Sequence, residues 1–148
     1  MGFKLEELSK GEKIIIISGI VALITLFLPW RDLGLLGDIK GISDYAWLPF
    51  ILGWGLSLYM VFQKKMIKAT FCLGGTVAAF LWSILYILSA TVENPFTDET
   101  IYNASWGVLI FSFATIAQFI GLILEYKIKN VAEITKVIKE DIASCEQK

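Results

Sequence analysis

Ile14–Trp30 reads IIIISGIVALITLFLPW, an uncharged apolar run closed by Pro-Trp and followed at once by Arg31-Asp32. A bilayer core about 30 Å thick needs roughly 20 helical residues at about 1.5 Å each. The run alone is slightly short, but the residues before it lengthen it. Ser9-Lys10-Gly11-Glu12 has the S-x-x-E form of a capping box, with Ser9 as the cap and Glu12 reaching back to the free backbone N–H. A helix starting at Lys10 places Lys10 and Lys13 among lipid headgroups. Pro29 ends it, because proline disfavours helical geometry in the residue before it. Trp30 then falls where an interfacial aromatic belongs. No small-x-small cleavage site precedes Arg31 and further apolar runs follow, so the stretch reads as a span rather than a removed signal.

Three more runs follow. Tyr45–Phe62 (YAWLPFILGWGLSLYMVF) carries Pro49 near its start. Either the regular helix begins there, with proline at its first position, or it begins at Asp44 and kinks. Residues 69–92 and 104–124 complete a set of four expected spans, at about 10–30, 45–62, 69–92 and 104–124. Asn103 is the expected N-cap of the last. The connection QKKMIK (63–68) is short enough to make the second and third helices an antiparallel hairpin. The first loop, LGLLGDIKGI, is punctuated by Gly34, Gly37 and Gly41 and reads as turns with a candidate short hairpin. The expected fold is all-α: an integral membrane four-helix antiparallel bundle over residues 1–125. A cytoplasmic tail over 126–148 follows, in which Ile128, Val131, Ile134, Ile138 and Ile142 recur at helical spacing.

Composition supports that reading. Of 148 residues, 56% are hydrophobic and 18% charged, and the mean hydropathy is +0.67. This is too apolar for an ordinary soluble domain of the size. Eleven of the thirteen Lys and Arg residues fall in the two tails and the 63–68 turn, and only Arg31 and Lys40 fall in the other two loops. The positive-inside rule then places both termini in the cytoplasm, in a cell membrane crossed several times. Trp30, Tyr45, Trp47, Tyr102 and Trp106 would mark the outer face, and Arg31 would snorkel there.

Candidate functional groups are few. The chain has no histidine, which removes His-based acid–base chemistry and most zinc sites. Cys72 and Cys145 lie on the reducing side, so no structural disulfide is expected. The outer acids Asp32, Asp38, Asp44, Glu93, Asp98 and Glu99 show no EF-hand spacing and read as solvated loop charge. No basic cluster with interleaved aromatics suggests nucleic acid. No catalytic, cofactor or metal residue is assigned, and none of the four apolar runs holds a charge that would mark a proton or ion path. Gly74-x-x-x-Ala78, Gly75-x-x-x-Ala79 and Ala117-x-x-x-Gly121 place small residues one turn apart, the spacing of close helix packing. Gln118, the one strongly polar side chain well inside a span, is expected to hydrogen-bond across helices.

Leu28-Pro29-Trp30 at the end of the first span and Trp106-Gly107 at the start of the fourth, with a glycine-punctuated outer loop and a basic middle turn, resemble a loose group of small, uncharacterised prokaryotic four-span membrane proteins. The likeness covers the four spans and not the tail, and the group implies no activity. Claudin-like tetraspans share the helix count, but their paired outer cysteines and Gly-Leu-Trp motif are absent.

The expected function is therefore non-enzymatic. The chain reads as a membrane scaffold or accessory subunit that recruits a protein partner through Val131, Ile134, Ile138 and Ile142. The alternative is a homo-oligomeric pore or membrane-perturbing effector, with Gln118, Ser112, Thr115 or Thr76 around a lumen. The partners implied are the lipid bilayer and either another protein or further copies of the chain.

Overall fold

The computed structural model describes residues 8–32, 37–63, 67–90, 92–93 and 100–146, with the backbone alone at 44, 92–93, 100–103, 132–134 and 136–146. Among them the chain forms four helices: α1 (Lys10–Thr25), α2 (Trp47–Gln63), α3 (Ala69–Ser89) and α4 (Trp106–Glu146). Four short strands join them: β1 (Pro29–Asp32), β2 (Asp38–Lys40), β3 (Val92–Glu93) and β4 (Thr100–Ala104). The fold is predominantly α-helical. Two segments are long and apolar enough to cross a membrane: α3, with 21 residues, and Trp106–Val131 of α4, with 26. α1 and α2 have 16 and 17 residues and are shorter than that.

α1 begins as its sequence requires. The Ser9 hydroxyl accepts from the Glu12 N–H at 3.0 Å, and the Ser9 N–H donates to Glu12 Oε2 at 3.0 Å, which satisfies two N–H groups that the first turn leaves free. The end differs from expectation. The helix stops at Thr25 rather than 30, because Leu26, Phe27 and Leu28 fold into tight turns with N–H groups bonded three residues back. Pro29 then starts a strand. α2 begins at Trp47, so Pro49 sits inside the first turn, where no helical partner needs its missing N–H. A 3-10 turn at Gly41–Asp44 and a left-handed Tyr45 (φ 58°) lead into it.

The strands make one antiparallel sheet in the order β2-β1-β4-β3. Arg31 pairs with Ile39 and with Ala104, and Asp32 pairs with Asp38 and Asn103. The hairpin expected in the first loop is β1–β2, and the second loop pairs with it, which the sequence did not suggest. Asn103 is therefore a strand residue and not the cap of α4, and α3 ends at Ser89, three residues short of 92. Because the sheet links the C-ends of α1 and α3 to the N-ends of α2 and α4, the helices alternate in direction and the sheet closes one end of the bundle. The most extensive packing is between α1 and α4, followed by α2 on α3 and then α3 on α4, with a lighter α1–α2 contact.

A bulge between Pro29 and Arg31 turns Trp30 inward. Its indole is wholly buried and its Nε1–H donates to the Thr25 carbonyl at 2.8 Å. Tyr86 and Phe111 each stand with ring centroids 5.2 Å away. Gly41 and Gly107 press on the same ring, and a Cβ at either would overlap it. Trp30 is thus the core residue under the sheet and not an interfacial anchor. The Arg31 guanidinium lies 4.7 Å above the Tyr86 ring.

Candidate functional site

The bundle interior carries a seam of polar side chains. Gln118, fully buried on α4, reaches α2, where its Nε2 donates to the Gly53 carbonyl at 2.5 Å and to Ser57 Oγ at 3.0 Å. The Gly53 carbonyl fixes the amide orientation, since the opposite one would set two acceptors against each other. Gln118 Oε1 is buried with no hydrogen-bond donor among the described residues. Trp54 Nε1 donates to Ser18 Oγ at 3.3 Å, tying α2 to α1. Ser112 Oγ lies 2.9 Å from Ser83 Oγ, tying α4 to α3. Thr76 and Thr115 are turned back onto their own helices, bonding the Cys72 and Ser112 carbonyls at 2.9 and 2.7 Å. All four residues expected to line a lumen, Gln118, Ser112, Thr115 and Thr76, are buried within the chain's own bundle.

The small-residue faces divide. Gly75 and Ala79 lie against α2: a Cβ on Gly75 would strike the Leu52 carbonyl, and Ala79 faces Gly53. Gly74 and Ala78, one position away, are exposed, and a Cβ on Gly74 would meet nothing within 4 Å. That face is not a packing face of the bundle, because the helix turns about 100° per residue and carries the neighbouring position outward. Gly121 meets α1 at Gly11 and Ile14, while Ala117 is half-buried in an apolar groove of about 290 Å³ between α1 and α4. A second groove, about 230 Å³ between α3 and α4, is lined by Phe80, Phe119 and the self-bonded Thr76 and Thr115. Neither offers a free polar group to orient a ligand.

At the end opposite the sheet, two carboxylates are buried that the sequence placed at the edges of spans. The Ser9 hydroxyl donates to Glu125 Oε2. Lys129 Nζ lies 2.7 Å from Glu125 Oε1, and Glu12 is buried beside them in the capping box. Gly11 crosses so close to Gly121 and Glu125 that a Cβ would contact their backbone. Tyr126 completes this end, donating to the Ile67 carbonyl at 2.8 Å beside the buried Cys72. Ser9 and Glu125 are 116 positions apart, so no local pattern could have joined them.

From Glu125 the helix continues unbroken through Glu146. Ile128 and Val131 are exposed, at 46% and 57%. The backbones of Ile134, Ile138 and Ile142 are helical, while their side chains and that of Cys145 lie outside the described residues. So do Leu33, Leu35, Leu36, Lys64, Lys65, Asp98 and Glu99, and the side chains of Asp44, Glu93 and Tyr102. Among the described residues no three His, Cys, Asp or Glu side chains gather as a metal site would require. No family model, curated protein or solved structure matches the chain.

Proposed function

We propose that the chain is a four-span membrane protein with both termini in the cytoplasm, and that it acts as a scaffold or accessory subunit recruiting a protein partner along the free half of α4. The observation that carries the reading is the length of that helix. α4 has 41 residues where its neighbours have 16 to 21. The residues after Tyr126 amount to about 30 Å of helix at 1.5 Å per residue. A helix running so far past its bundle with exposed Ile128 and Val131 has an apolar stripe that no part of the described chain covers.

The four-span part rests on the sides of the bundle. Exposed large apolar residues ring all four helices, among them Ile20, Leu52, Leu85 and Phe113 at 53–71%. In water such a surface would aggregate. α1 and α2, with 16 and 17 residues, are short for spans, and the tight turns at Leu26, Phe27 and Leu28 lengthen α1. The pore alternative loses support from the burial of its lumen candidates, since Gln118 is spent on α2. Ile134→Asp with Ile138→Asp is expected to leave the bundle's melting temperature unchanged and to abolish a specific photo-cross-link formed from Cys145 in native membranes. A discrete ring-sized oligomer of the purified protein in nanodiscs, with no cross-linked partner, would overturn the scaffold reading.

A further inference from the structure

α1 and α4 are in backbone contact at one end and leave a groove further along. At the contact, a Cβ on Gly11 would overlap the Gly121 carbonyl. Beyond it, Ser18, Ala114 and Ala117 are too small to fill the space between the helices, and the groove of about 290 Å³ remains. Ser18 and Ala114 are buried at its floor, while Ile17 and Phe113 stand exposed at its lips. The Ser18 hydroxyl donates to the Ile15 carbonyl, so the floor holds no free donor. From Ile14 to Val21 the groove runs about 10 Å along α1 at 1.5 Å per residue. Its end nearest the helix contact is marked by charge. Lys10, Ile14, Ile17 and Val21 are spaced by four, three and four residues, which puts Lys10 on the groove-lining face of α1, one turn before Ile14. Lys13 lies one turn before Ile17, at the exposed lip. Both lysines are exposed, and no carboxylate among the described residues pairs with either. Glu12 and Glu125 are buried nearby, one in the capping box and the other paired with Lys129, so the charge that α1 presents outward here is positive.

An apolar slot open to the side of the bundle, with two cations at one end, has the shape and charge of a lipid site. A soluble ligand would need polar groups inside the groove to orient it. An acyl chain needs none, because it carries its phosphate outside the groove. A zwitterionic headgroup brings a cation of its own toward the lysines, whereas an anionic headgroup brings none. We propose that the α1–α4 groove binds an anionic phospholipid from the leaflet at this end. One acyl chain lies between Ile17 and Phe113, and the phosphate sits on Lys10 and Lys13. The proposal rests on the membrane reading above.

The test is native mass spectrometry of the full chain released from detergent micelles, titrated with dioleoyl phosphatidylglycerol or dioleoyl phosphatidylcholine. Flotation with vesicles after carbonate extraction first establishes insertion. The expected result is a single retained phosphatidylglycerol, with phosphatidylcholine held far more weakly. Lys10→Gln with Lys13→Gln is expected to weaken retention about thirtyfold, from the roughly fivefold that each lysine near a lipid surface contributes. Lys68→Gln, at the exposed start of α3 and away from the groove, should leave it unchanged. Ala117→Phe fills the middle of the groove and should weaken retention about tenfold, by displacing about two methylenes of the chain, with the melting temperature unchanged. Equal retention of the two lipids, or an equal loss in Lys68→Gln, overturns the headgroup site. Retention undiminished in Ala117→Phe overturns the groove. A dimer that Ala117→Phe dissociates, with no lipid retained, overturns the proposal and assigns the groove to a second copy of the chain. Each of these results from a chain that floats leaves the membrane reading standing, whereas failure to float overturns both.

Discussion

Gly74 and Gly75 are adjacent in the chain and have opposite surroundings. A methyl on Gly75 would strike the Leu52 carbonyl, and backbone cannot swing aside as a side chain can. A methyl on Gly74 enters open space. Gly75→Ala is therefore expected to destabilise the bundle by about 1–3 kcal/mol through overpacking, while Gly74→Ala is neutral or slightly stabilising, since alanine is the better helix former. Thermal unfolding of the two variants in one detergent checks this, and equal losses would mean that α2 and α3 do not cross at Gly75. Trp30 carries the same lesson at larger scale. Its sequence neighbours point to an interface, and only the bulge at its own position places it in the core.

At the scale of elements, α1 and α4 form the tightest pair, joined at one end by Gly11 over Gly121 and by Ser9 on Glu125. Ser9 does two jobs there, capping α1 and donating to a carboxylate that is otherwise paired with Lys129. Ser9→Ala removes both. The cap alone is worth about 1 kcal/mol, and a hydrogen bond to a charged group adds about 1.5 kcal/mol or more. The expected outcome is a loss of about 2–3 kcal/mol, with faster amide exchange in the first turn of α1. Ser9→Thr, which keeps the hydroxyl, should recover most of it. Exchange confined to α1 would show the cap at work. Exchange that also rises around Glu125 would show that the contact holds the point where α4 leaves the bundle.

For the whole molecule, the four-span reading makes a directional statement. On that reading the sheet end, with Lys40, would face outside, and the tail, with Cys145, would face the cytoplasm. In intact cells a membrane-impermeant maleimide should label Lys40→Cys in a Cys145→Ser background. The unsubstituted chain should be labelled at Cys145 only after permeabilisation, because Cys72 is buried. Labelling of Cys145 in intact cells would invert the topology, and labelling of both sites would indicate that fewer than four helices cross.

What the sequence determined by itself is what depends on local spacing and composition. The apolar runs, the S-x-x-E start of α1, the short basic turn and the helical period of the tail are each decided within a few residues, where propensity, capping and the hydrophobic effect act. Helix ends were legible only to within several positions, because Leu26 to Leu28 are as apolar as the helix before them and strand pairing beyond decides where it stops. The tertiary structure decided everything that joins distant segments. It paired the two outer loops into one sheet and turned Trp30 inward. It chose Gly75 over Gly74 as the packing face, aimed Gln118 at Gly53 and Ser57, and set Glu125 against Ser9. These outcomes follow from which helix lies beside which. That choice minimises exposed backbone and buried unpaired charge over the whole chain, and no window of sequence contains it.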